Sequence, residues 1–135
     1  MKAYPTNPVE YIKKWRMSSI FRYIQTHPDM DHMDGLKNLS ESRPILNFWD
    51  TANTKEQSFD EYGNCGRYKK KDWDCYQRLR NSADNPKSLI FYDGTTAKYF
   101  AEDDNGALSD DYLKILSPTK DLIKIAEEAK DWNDS

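Results

Sequence analysis

The chain has 135 residues, a length that suits one domain and gives no sign of a division into two. Leu, Ile, Val and Phe supply only 23 of them, below the roughly 20% associated with disorder. The net charge of −3 nevertheless excludes the highly charged disordered class, and nine Tyr, five Phe and four Trp offer the missing buried area. The excess of acidic over basic residues disfavours a broad nucleic-acid-binding face while leaving room for a local basic groove.

Near the start, Asn7-Pro8-Val9-Glu10 reads as a helix opening: a capping Asn, a Pro where its missing N–H is harmless, and a Glu near the positive end of the dipole. Val9, Ile12 and Trp15 then fall on one face. No apolar signal region precedes this helix and no apolar run is long enough for a membrane span, so a cytoplasmic address follows by default. Ile20 to Gln25 is β-branched and aromatic and ends at Thr26-His27-Pro28, which predicts a buried strand. A short helix is expected from Met33 to Leu39, and a second strand from Pro44 to Trp49.

Asp50 to Arg67 is then a polar, Gly-bearing loop, long for a compact domain. Tyr68 to Arg80 carries Tyr68, Cys75, Tyr76 and Leu79 at helical spacing, and Lys69, Lys70, Lys71 and Arg78 read as its solvated face rather than as a phosphate patch. Cys65 and Cys75 match no metal or redox spacing and read as two thiols. A hairpin is expected from Ser88–Tyr92 through Asp93-Gly94 to Thr96–Phe100, then an acidic turn from Ala101 to Asp111 and a strand from Tyr112 to Leu116. Ser117-Pro118-Thr119 opens a last helix through Leu122, Ile125, Ala126 and Ala129. Strands alternating with helices predict an α/β domain over residues 1 to 135.

Both histidines lie in the ten residues THPDMDHMDG, 26 to 35. His27, Asp29, Asp31 and His32 place two imidazoles and two carboxylates on a turn where Pro28 interrupts regular structure. Such a turn can gather ligands for Zn, Fe or Mn. It can equally be a solvated acidic loop in which Asp31 or Asp34 caps a helix and the histidines face water.

Strand IFRYIQ followed by THPDMDHMDGL resembles the signature of the metallo-β-lactamase-fold hydrolases, in the form found in the hydrolase domain of DNA-uptake competence proteins. His27, Asp29, Asp31, His32, Gly35 and Leu36 match it, and ILNFWDT, KKDWDCYQRLR, SLIFYDG and LSPTKDLIKIAEEAKDWNDS are similar to segments that follow in the same order. The resemblance implies a partial αββα fold, with a mixed sheet, flanking helices and an inserted hairpin. It assigns His27 and Asp29 to one divalent metal, Asp31 and His32 to a second, with zinc first and manganese or iron as alternatives. Asp31 would also hold the proton of a metal-activated water that attacks phosphoester bonds, in nucleic acid among other substrates.

Against that pattern the chain lacks the later Gly-Asp and a further histidine, so four ligands shared by two metals give two each, where a catalytic zinc generally has three. The resemblance therefore implies an incomplete domain. Two functions are expected of such a chain: a fragment or subunit of a metal-dependent hydrolase, or a non-catalytic binding or assembly module derived from one. In either case self-association or a second polypeptide is expected to cover an exposed edge and an apolar surface that includes Phe21, Ile24, Ile45, Phe48, Ile90 and Ile115.

Overall fold

The structure, a computed structural model, describes residues 5–93 and 117–129. Helix α1 spans Pro8–Lys14, and Asn7 Oδ1 accepts from the Val9 N–H at 2.9 Å, as its sequence predicts. Of the expected inner face Ile12 is buried, but Trp15 closes the helix 60% exposed. Strand β1 is Ile20–Gln25, α2 is Leu36–Ser42, and β2 is Ile45–Thr51. Two short strands, β3 (Asn64–Cys65) and β4 (Tyr68–Lys69), form an antiparallel ladder directly before α3, Lys70–Arg80. Strand β5 is Lys87–Phe91 and α4 is Lys120–Ala129.

The main sheet has the order β1-β2-β5 and is parallel throughout. Parallel neighbours need a crossover, here α2 between the first pair and the β3–β4 hairpin with α3 between the second. The domain is thus α/β, but where a mixed sheet was expected the described strands of the main sheet all run one way. A short hairpin that the sequence pattern does not predict lies at 64–69. The expected elements at Thr96–Phe100, Ala101–Asp111 and Tyr112–Leu116, and Ile115 with them, fall outside the described residues. None of the described helices is long and apolar enough to cross a membrane.

The main core lies between the sheet and α2 and α3. Phe48, fully buried, shares one cluster with Tyr76, Leu79 and Trp73 from α3, Leu36 from α2, and Met30 and Met33 from the turn between β1 and α2. Tyr23 stacks on Phe48 with ring centroids 5.3 Å apart. Ile45 and Phe48 are therefore core residues and not part of an exposed surface, whereas Phe21 is 64% exposed and Ile90 38%. A second cluster joins Trp49 and Phe91, with Ile24 and Leu89 packed against it. Along α4, Leu122 and Ile125 are more than half exposed.

Helix α2 starts three residues later than its apolar pattern suggests. A 3₁₀ turn occupies Met30–His32, and Gly35 then takes φ +83°, a left-handed conformation that strains any residue with a Cβ. Gly35 offers no side-chain cap, and the fully buried Asp72 of α3 supplies one from across the core, its Oδ1 accepting from the Lys37 N–H at 2.9 Å.

Candidate functional site

The loop from Thr26 to Gly35 leaves the C-terminal end of β1, the end of a parallel sheet where α/β proteins place ligands. Its shape is set by Gln25. This last strand residue is 1% exposed, and its side-chain amide donates to the carbonyls of both His27 and His32. One buried amide thus draws the two histidine backbones together, and their rings lie with centroids 4.9 Å apart. Tyr23 closes the same corner, its hydroxyl bonding Gln25 Oε1 at 3.2 Å; burial, with Cys75 and Asp72 adding to it, pushes that phenol up to about 12. Nothing in sequence spacing marks a terminal strand glutamine as the loop's anchor.

His27 Nδ1 stands 3.1 Å from Thr26 Oγ1, and His27 opens on a cleft of about 360 Å³ lined also by Pro28, Thr51, Phe91 and Pro118. His32 Nε2 is 3.8 Å from Asp31 Oδ2, and both side chains are about half exposed. His32 borders a separate cleft of about 620 Å³ with Tyr23, Asp34 and Asn38. The histidine pair therefore stands between two openings.

Asp29 behaves differently. Its Oδ1 accepts from the ammonium of Lys55, whose side chain is 4% exposed, while that of Asp29 is 34% exposed. Lys55 lies in the stretch read as a long polar loop, and a buried network supports it. The Lys55 N–H donates to Asn53 Oδ1 at 3.2 Å, and Arg80 Nη1 donates to the same oxygen at 3.2 Å. Asn53 Nδ2 bonds the Thr51 carbonyl at 3.0 Å and Tyr76 Oη at 3.1 Å. Tyr76 Oη in turn donates to Asp50 Oδ2 at 2.7 Å, which Arg80 Nε meets at 2.9 Å.

Asp50 is fully inaccessible and lies within β2, which runs two residues beyond the strand end expected at Trp49. Burial pushes its carboxyl up, against the opposing pull of Tyr76, Arg80 and the other donors. The Tyr76 phenol is also raised, first by burial and then by Asp50.

Of the four motif residues, then, the loop brings His27, Asp31 and His32 to one exposed corner and turns Asp29 to an internal cation. Among the described residues no three His, Cys, Asp or Glu side chains form a group able to hold a metal ion. Two imidazoles and one carboxylate are suitable donors for a borderline ion. The set as described does not fit a complete two-metal centre, since one of its carboxylates already carries an ammonium. No family model, no curated protein and no solved structure matches the chain.

Proposed function

We propose that the chain is a fragment or subunit of a metal-dependent hydrolase of the metallo-β-lactamase type, with the 26–35 loop supplying part of a divalent-metal site. Zinc is the first expectation and phosphoester bonds the substrate class. The observation that carries this reading is the pairing of His27 and His32 through Gln25 beside Asp31, at the ligand-binding end of the β1 strand. His27, His32 and Asp31 would contribute donors, and further ligands would come from outside the described residues or from a second polypeptide. No catalytic step is assigned to this partial set; the role of holding a water-derived proton comes to Asp31 from the family resemblance alone. The test is a titration with ZnCl₂ followed by histidine ring NMR, alongside phosphodiester hydrolysis assays with added zinc or manganese. Coupled shifts of both rings, lost in His27→Ala and His32→Ala, are expected; rings indifferent to zinc would remove the reading.

A second reading, a non-catalytic binding or assembly module, is favoured by a different region. Strand β1 ends the described sheet, and an open groove of about 800 Å³ runs beside it, lined by Tyr11, Met17, Ile20 and Phe21. Self-association there would cover exposed apolar side chains and a strand edge that meets no other strand among the described residues. Light scattering over a concentration series tests it: a monomer at every concentration, indifferent to Phe21→Lys, argues against this surface.

A further inference from the structure

We infer that Lys55 takes the place of a metal at Asp29, so that Asp29 is withheld from the ligand set and the affinity of the loop for divalent ions is kept low. The inference rests on the reading of this loop as metal-ligating and concerns how that site is controlled. Its first support is burial. An ammonium with a side chain 4% exposed needs a partner, because a buried charge left alone is among the more destabilising defects a fold can carry. Asp29 provides one, so the pair is bound more firmly than an ion pair on the surface.

The second support is rigidity on both sides. The Lys55 backbone is held by Asn53, which Thr51, Tyr76 and Arg80 fix to β2 and α3. Asp29 sits in extended conformation between the buried Pro28 and Met30, which fixes its backbone beside Lys55. An ion recruiting Asp29 would have to break the pair and then tolerate the ammonium left beside it. Both effects oppose binding, and repulsion between the two cations is strengthened where water is excluded. A lysine in this role uses charge alone, so a neutral side chain of similar length should release the carboxylate without emptying the space.

The experiment compares zinc affinity, with ZnCl₂ alone as probe, in the full chain, Lys55→Met, Lys55→Gln and the double variant Lys55→Met/Asp29→Asn. Lys55→Met removes the charge and keeps the apolar stem; Lys55→Gln also removes the charge, leaves a polar head in its place, and keeps the test valid if the methionine variant folds poorly. Either single variant should bind zinc at least about 10-fold more tightly than the wild-type chain, and the double variant should return to the wild-type value. In the wild-type chain the Asp29 carboxyl carbon resonance should stay still while the histidine rings respond; in Lys55→Met both should move. The inference is overturned if neither single variant gains affinity, or if the Asp29 resonance follows zinc in the wild-type chain. Histidine rings silent in every variant would overturn the metal-ligating reading itself, a result separate from the other two.

Discussion

Two turns leave the same end of the sheet from neighbouring strands and treat their charges in opposite ways. After β1, Asp31 and His32 stay about half exposed, and the loop backbone is held by Gln25. After β2, Asn53 and Lys55 go inward with Asp50, and each finds partners on α3 or on the neighbouring loop. Polar groups in the second turn are committed to structure, because leaving any one of them buried and unpaired is unfavourable. Those in the first are free of that duty, and function is best sought there. Asp29 is the exception, since it belongs to the first turn in sequence and to the second in its bonding.

That contrast can be broken most severely at Arg80. Arg80→Ala leaves the Asp50 carboxylate buried without its cation and should destabilise the fold by about 3–5 kcal/mol in urea unfolding. A loss no greater than that of an exposed substitution would show that the second turn is not structural. Tyr76→Phe removes one donor to Asp50 and one acceptor from Asn53, and about 1–3 kcal/mol should be lost.

The first turn should respond in the other sense. His27→Ala and His32→Ala are expected to change stability by no more than about 0.5 kcal/mol, because neither ring fills the core. A drop comparable to that of Arg80→Ala would make the histidines structural and erase the contrast.

The smallest effect concerns Asp60, a surface carboxylate that accepts from the N–H groups of Asn64 and Tyr62 at 2.7 and 3.0 Å. These bonds, that from Asn64 first, hold its carboxyl below the usual value. A folded value below the unfolded one contributes stability above the ordinary carboxylate range, and that contribution disappears as pH falls through the folded value. Acid unfolding of Asp60→Asn should accordingly be slightly less steep than that of the wild-type chain. Direct NMR titration of Asp60 at or above its ordinary value would contradict this.

The parts of the fold written in local chemistry were legible in the sequence. Asn7 and Pro8 mark the start of α1, and the IFRYIQ run coincides with β1. Strand β2 was read too short because Asp50 and Thr51 are polar. Their place in a buried strand depends on Tyr76 and Arg80, 26 and 30 positions further on, and no local pattern carries that dependence. The start of α2 differs from its apolar pattern because the left-handed Gly35 sets the first helical residue at Leu36. At the candidate site the histidine loop was visible from residue types alone. Gln25 and Lys55 were not, since a glutamine ending a strand and a lysine in a polar loop are ordinarily solvated.

Asp72 has one more consequence. By accepting from the Lys37 N–H it fastens the beginning of α2 to α3, while Gln25 fastens the other end of the same loop to β1. A segment clamped at both ends has already surrendered most of its backbone freedom on folding, before any ligand arrives. Whatever docks against His27 and His32 therefore meets a preorganised surface, and the entropy lost on association is confined largely to a few side-chain torsions. The exposed corner of the molecule is open to solvent without being loose.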